Sequence, residues 1–174
     1  QARAPLSMLV ALEGSNMNHV GNDKATCLEL ALEWPMDKDG ESSSARHVEL
    51  VLSRGADPNV ASLRPSETPV LLAVKLGKLP DLELLLGAGA DISVAHKESG
   101  RSPLHIASLM GFRQILEALL EKANEGTVNA QAARGETALA LAVASGNLSL
   151  VPVLLSATAD PSLADADGIS PLMM

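Results

Sequence analysis

A ten-residue segment occurs twice in this chain, and the repetition constrains the fold more than any other feature. Residues 68–77 read TPVLLAVKLG and residues 102–111 read SPLHIASLMG, a separation of 34 positions. Aligning the chain on these segments places a hydroxyl residue at one position in five copies: Thr26, Thr68, Ser102, Thr137 and Ser170. A recurring period of about 20 to 50 residues is typical of proteins built from stacked modules.

Each copy carries the start and stop signals of a short helix. Serine and threonine are good N-caps, because the hydroxyl accepts hydrogen bonds from free backbone N–H groups of the first turn. A proline, which is well tolerated at the first helical position, follows in three copies: Pro69, Pro103 and Pro171. A glycine that permits a sharp exit comes about nine residues after the cap in three copies: Gly77, Gly111 and Gly146.

A second apolar segment follows in every complete copy, with leucines on one helical face. These segments are HVELVLSRGADPN (47–59), DLELLLGAGADIS (81–93), QILEALLEKANEG (114–126) and LVPVLLSATADPS (150–162). Gly55 and Gly89 supply a left-handed exit, but Ala123 and Thr158 hold that position in the later copies, so their turns are expected to be remodelled. A helix that starts near residue 149 would place Pro152 harmlessly in its first turn.

The connectors between copies are too short for another helix. They read VASLRPSE, SVAHKESGR and AQAARGE, and a tight hairpin turn fits them best. The predicted unit is therefore helix, turn, helix and hairpin.

This unit resembles the ankyrin repeat, whose period is about 33 residues and whose signature is T-P-L-H-x-A. Residues 102–107, SPLHIA, carry the signature almost intact, and further copies read TCLELA (26–31), TPVLLA (68–73) and TALALA (137–142). The resemblance covers essentially the whole chain. It implies an all-α ankyrin-repeat solenoid of stacked helix-turn-helix units joined by β-hairpin-like loops.

The register predicts a single ankyrin repeat domain over residues 1–174. Its complete repeats are 19–59, 60–93, 94–129 and 130–162, between the second half of a truncated repeat at 1–18 and the start of another at 163–174. The two truncated repeats favour the interpretation that this sequence is a fragment of a longer repeat array. The first complete repeat has an insertion at 35–42, which is either a tolerated solvated loop or a contact element for a partner.

Charge and composition exclude several classes of partner. The net charge of −8 disfavours nucleic acid, which requires a basic surface, and no apolar run approaches the length that spans a bilayer. Cys27 is the only cysteine, so no intrachain disulfide forms and a reducing interior, cytoplasmic or nuclear, is the simpler location. We expect a monomer.

Catalysis is not predicted. The four histidines and the cysteine form no recognised metal-binding or catalytic spacing, and no phosphate-binding glycine loop is present. No cofactor and no metal are expected. Cys27 is expected to be a buried structural thiol, and His105, the histidine of the signature, to bond with neighbouring backbone.

The resemblance implies a protein-interaction module that binds a partner peptide or protein surface through a concave face. In members of this family, two adjacent positions at the end of each first helix usually contact the partner. In this chain these positions hold Glu33, Trp34, Lys75, Leu76, Leu109, Met110 and Ser145. The hairpin tips carry the others: Asn22, Asp23, Lys24, Arg64, His96, Lys97, Glu98, Arg101 and Arg134.

Two questions stay open at this point. The apolar side chains among the helix positions are either anchors for a partner or partly buried between neighbouring helices. The module is either an adaptor for a separate protein or an intramolecular regulatory domain that docks within a larger enzyme, channel or receptor.

Overall fold

The computed structural model describes residues 17–18, 25–34, 43–61 and 68–174. In these ranges the chain forms helices joined by turns and contains no strand, so the predicted all-α class is confirmed. The α-helices are α1 Cys27–Leu32, α2 Ser43–Ser53, α3 Pro69–Lys75, α4 Leu79–Gly87, α5 Pro103–Met110, α6 Arg113–Leu120, α7 Glu125–Val128, α8 Ala138–Ala144 and α9 Val151–Ser156. Short 3-10 helices cover Leu148–Leu150 and Pro171–Met173.

The predicted hydroxyl caps form at Thr26 and Thr137. The prediction is wrong at Thr68, whose buried Oγ1 has no partner, and at Ser170, which makes no cap bond. Thr26 Oγ1 accepts from the Glu29 backbone N–H at 3.2 Å, and the Glu29 carboxylate accepts in return from Thr26 N–H at 3.1 Å. Thr137 Oγ1 accepts from Ala140 N–H at 3.1 Å. Because each bond satisfies a donor that the helix itself leaves free, each cap contributes about 1 kcal/mol.

The glycines that end the helices adopt the predicted left-handed conformation. Gly77, Gly111 and Gly146 have φ values of 69°, 75° and 73°, and Gly55 and Gly89 have values of 86° and 84°. These angles are strained for residues with a Cβ atom, which explains why glycine recurs at these positions.

The third complete repeat departs from the pattern after its second helix. Ala123 does not adopt a left-handed conformation, and Asn124 instead caps the extra one-turn helix α7, accepting from Thr127 N–H at 3.0 Å. The expected remodelling is confirmed here. In the fourth complete repeat the 3-10 turn Leu148–Leu150 precedes α9, and Pro152 lies in the first turn of α9 as predicted.

Thr158 keeps the left-handed conformation that glycine has elsewhere, with a φ of 66°. A β-branched residue pays about 1 to 2 kcal/mol for this geometry. Thr158→Gly is therefore expected to raise the free energy of unfolding by about 1 kcal/mol, part of the relief being lost to the greater freedom of glycine in the unfolded chain. Urea-induced unfolding followed by circular dichroism measures the change.

The matched control for Thr158 is the preceding residue, Ala157, whose φ of −90° suits any L-amino acid. Ala157→Gly is expected to lower stability, because glycine there brings entropy loss without relief of strain. Equal effects of the two glycine substitutions would contradict strain at Thr158.

The chain divides into two compact units, one comprising Gln1–Ala73 and Pro80–Asp91 and the other Val74–Leu79 and Ile92–Met174. In the first unit α1 packs on α2. In the second unit α5 packs on α6 and α8, and α8 packs on α9. Fully buried leucines fill this second core: Leu104, Leu116, Leu119, Leu139, Leu150 and Leu154. The single domain over 1–174 and its repeat boundaries stay predictions.

The connectors of the second unit form hydrogen-bonded hairpin turns. Ala132 N–H donates to Glu136 O at 2.9 Å, and Asp165 N–H donates in the same way to Ile169 O at 3.0 Å. Successive hairpins also bond to each other, through Ala133 N–H to Ser99 O at 3.0 Å and Ala166 N–H to Arg134 O at 2.9 Å. The tips are thus joined by main-chain bonds from one repeat to the next.

Candidate partner-binding surface

Leu76 and Met110 lie at equivalent positions of two successive repeats, one residue before the glycine that follows the first helix. Both belong to the second unit. The side chain of Leu76 is 45% exposed and that of Met110 is 52% exposed. Their burial within the stack is therefore only partial, and each leaves a large apolar area in contact with water.

The neighbouring predicted residues differ in how much of them a partner could reach. Lys75 and Ser145 are exposed, whereas Leu109 is half-buried. The Ser145 hydroxyl donates to Leu141 O at 2.6 Å, so its proton is engaged within its own helix. The fourth repeat therefore offers a small, neutral surface where the third offers a methionine.

Trp34 follows α1 in the first unit and is half-buried, as is Glu33 before it. The Trp34 ring lies against the His47 ring of α2, with centroids 5.1 Å apart and planes tilted by 40°. Stacking of this kind holds the indole in place while part of it stays accessible. Trp34 is thus partly buried, and its contact with a partner stays a prediction.

Of the predicted tip residues in the second unit, Lys97, Glu98 and Arg134 are exposed. His96 is half-buried, and its Nδ1 lies 3.3 Å from Ser99 Oγ. The predicted tip residues Asn22, Asp23, Lys24 and Arg64 and the insertion at 35–42 lie outside the described residues.

Arg101 is tied into the structure by an ion pair between consecutive repeats. Its Nη2 lies 3.1 Å from Glu136 Oε1, and the two side chains are 30% and 19% exposed. A pair that remains partly in water contributes at most about 1 kcal/mol. Its charge is nevertheless balanced locally, which leaves Lys97 and Arg134 as the more available cations of these two tips.

His105 fixes the start of α5 to the next hairpin and is 1% exposed. Its Nδ1 accepts from Ser102 N–H at 3.2 Å and lies 2.7 Å from Ser102 Oγ. Because a backbone N–H can only donate, Nδ1 is unprotonated, and Nε2–H donates to Glu136 O at 3.0 Å. The predicted bonding of His105 to backbone is confirmed.

Burial lowers the pKa of His105, since the charged imidazolium is disfavoured away from water. Hydrogen bonds to the backbone of Glu136 and Ala130 act in the opposite direction without reversing the shift. The histidine is neutral at pH 7 and serves as a structural connector between repeats.

Two asparagines make a further inter-repeat link that the sequence analysis missed. In the second unit Asn129 Nδ2 donates to Thr158 O at 3.0 Å, and its Oδ1 accepts from Asp160 N–H at 2.7 Å. Asn59 makes the same pair of bonds to Gly89 and Asp91 in the first unit, at 3.3 and 2.7 Å. The available signal was the asparagine shared by the aligned segments EGSNMN (13–18) and RGADPN (54–59).

Within the described part of the chain no three His, Cys, Asp or Glu side chains gather as metal ligands would, and no helix is long and apolar enough to cross a membrane. Cys27, the first residue of α1, is half-buried, so the expectation of a buried thiol is wrong.

A family model described as ankyrin repeats, three copies long, matches residues 37–129 and again residues 70–165. A search of curated proteins finds no significant match. Ankyrin repeats are generally protein–protein interaction modules and are typically not catalytic. The family model matches well over half of the chain, and the paired helices with their caps and hairpins follow the same period. The chain therefore belongs to the ankyrin repeat family.

Proposed function

We propose that this protein is a non-catalytic interaction module that binds a peptide or protein surface through its first helices and hairpin tips. One observation carries the proposal: Leu76 and Met110, at equivalent positions of successive repeats, are 45% and 52% exposed. Large apolar side chains supply most of the energy of protein interfaces, and a core would normally enclose them. We further place the module inside the cell, in keeping with a sequence that contains a single cysteine.

Exposed cations of the same unit could form a polar rim around these two side chains. Lys75 precedes Leu76, and Lys97 and Arg134 are exposed on the tips of the next two hairpins. Charges at a rim contribute more to partner selection and association rate than to affinity. Leu109 and Ser145 would lie at the border of this surface, and Glu33 and Trp34 are proposed as partner contacts of the first unit by itself.

Met110→Ser is expected to weaken partner binding by about 1 to 3 kcal/mol, which corresponds to about a 5- to 150-fold loss of affinity. The loss follows from removing an apolar anchor at a position that does not support the core. Affinity capture from lysate of the cells that express the protein, followed by titration of the captured partner, measures it. Leu76→Ser is expected to act in the same direction.

Met173→Ser is the matched control, because Met173 is 73% exposed and lies outside the proposed surface. Circular dichroism verifies that all variants fold. A partner that the Met110 and Leu76 variants bind as tightly as the unmodified chain does would refute this surface. Binding lost only with Met173→Ser would move the site to the end of the chain.

A further inference from the structure

Asn147 follows the glycine after the first helix of the fourth complete repeat, and its side chain lies against the preceding repeat. Its Nδ2 donates to Ser108 O at 2.9 Å and to Leu109 O at 3.0 Å, near the end of α5. Its Oδ1 lies beside Gly111, 2.8 Å from the position that a Cβ atom on that glycine would occupy. The amide is therefore in contact with both residues that flank Met110.

The orientation of this amide is fixed by its neighbours. The two carbonyl oxygens can only accept, so the amide nitrogen has to face them, and the amide oxygen is left for another donor. That Oδ1 accepts no hydrogen bond from a described residue. Asn147 is half-buried, and its Oδ1 is not one of the buried atoms that lack a partner, so this oxygen remains open to water. It is an unused acceptor that is already held in one direction.

The preceding repeat offers no such acceptor. Phe112 occupies the equivalent position, and its ring lies beside Gly77, with Cζ 3.3 Å from the position of an added Cβ. An apolar side chain therefore lies against the glycine that follows Leu76, and a polar one lies against the glycine that follows Met110. The two proposed anchors thus differ in their surroundings, although they occupy equivalent positions.

A partner that covers Met110 and the residues beside it also removes water from the Asn147 oxygen. A buried acceptor without a donor weakens binding, because the lost bond to water is not replaced. Partners that donate a hydrogen bond at this point are therefore favoured over partners that do not. Leu76 with Phe112 makes no such demand.

We propose that Asn147 is a partner-contact residue, whose Oδ1 accepts a main-chain N–H from the segment that covers Met110; this inference rests on the proposed function. The bond costs little side-chain freedom, because the two bonds of Nδ2 already fix the amide. The donor must be free of bonds within the partner itself. Since the N–H groups inside a helix are bonded within the helix, the segment that meets Asn147 is extended.

Peptides selected from a phage-displayed random library on the immobilised, unmodified chain provide the probe. A peptide qualifies when Met110→Ser weakens its binding. Synthetic versions of it, each with one main-chain nitrogen methylated, are titrated against the unmodified chain and against Asn147→Ala. One methylated position is expected to lower the affinity for the unmodified chain about fivefold to tenfold, through loss of one hydrogen bond, and to have little effect on the affinity for Asn147→Ala.

Asn129→Ala is the matched control, because Asn129 is also half-buried and also bonds main-chain atoms of the next repeat. It should lower stability and leave the effect of each methylated position unchanged. Asn147→Phe, which introduces the residue that the preceding repeat has at this position, should behave as Asn147→Ala does. Circular dichroism verifies that all variants fold.

Methylated positions that each have the same effect on the unmodified chain and on Asn147→Ala would overturn the inference. Coupling of Asn147 to a lysine, arginine or amide side chain of the peptide, and to no methylated position, would overturn it too. In both cases the proposed function stands. A selection that yields no peptide dependent on Met110 would instead refute the proposed surface, and this inference would fail with it.

Discussion

Replacing Gly100 by alanine is expected to lower the free energy of unfolding by about 3 kcal/mol. Gly100 has a φ of 64°, and a Cβ added there would lie 2.6 Å from the backbone nitrogen of Ala133. The new methyl group would push the two hairpins apart and break the bond from Ala133 N–H to Ser99 O. Backbone cannot swing aside as a flexible side chain can, so the clash adds to the conformational cost of alanine.

Gly146 provides the control, because it has nearly the same backbone conformation without the close neighbour. Its φ is 73°, and nothing lies within 4 Å of an added Cβ. Gly146→Ala is expected to lower stability by only about 1 kcal/mol, the cost of the left-handed conformation alone. The midpoints of urea-induced unfolding compare the two variants. Equal losses would mean that the hairpins separate without cost and that their main-chain bonds contribute little.

His105→Ala is expected to lower the free energy of unfolding by about 3 kcal/mol. The change leaves a cavity at a side chain that is 1% exposed. It also removes the partner of the N–H of the buried Ser102, and one of the two donors to Glu136 O, which keeps its bond from Ala132 N–H. His96→Ala, at a half-buried hairpin position, is the control and should cost less than about 1 kcal/mol.

His105→Ala should also flatten the pH dependence of the free energy of unfolding. In the unfolded chain the pKa of a histidine is about 6.5, whereas burial lowers the pKa of His105 in the folded chain. Between these values the unfolded state binds more protons, so the contribution is complete above about pH 6.5 and is lost as the pH falls toward the folded pKa. Urea titrations from pH 7.5 to 5 that give parallel curves for both chains would contradict a neutral, buried His105.

The architecture could be predicted in detail from the sequence wherever a residue type strongly favours one local backbone structure. Thr26 and Thr137 cap helices, Gly77 and Gly111 end them, and Pro152 lies in a first turn, because each acts through its own backbone within a few residues.

Prediction was weaker where two distant segments decide the outcome. Ala123 and Thr158 break the glycine pattern in the same way, yet the first turn is rebuilt around α7 and the second keeps its strained geometry. The Asn129 side chain donates to Thr158 O and accepts from Asp160 N–H, and these two bonds hold the turn at Thr158 in place. No local pattern at residue 158 indicates an asparagine many positions earlier.

The candidate surface is a similar case. Alignment with the repeat signature gave the positions of Trp34, Leu76 and Met110, but their different degrees of burial depend on how the helices pack. Trp34 lies against His47, while Leu76 and Met110 remain about half in water.

Main-chain bonds join successive hairpins: Ala133 N–H to Ser99 O, and Ala166 N–H to Arg134 O. Side-chain bonds add to them, from Arg101 to Glu136 and from Gln131 to Ala164 O. The side chain of Lys97 belongs to neither set, so substitution of Lys97 by an acidic residue should leave the framework intact. Selection can accordingly rewrite the tip side chains to suit a new partner, whereas changing the number of tip residues would shift every later bond out of register. Evolution of specificity in this chain is thus expected to proceed by substitution at the tips and by insertion elsewhere.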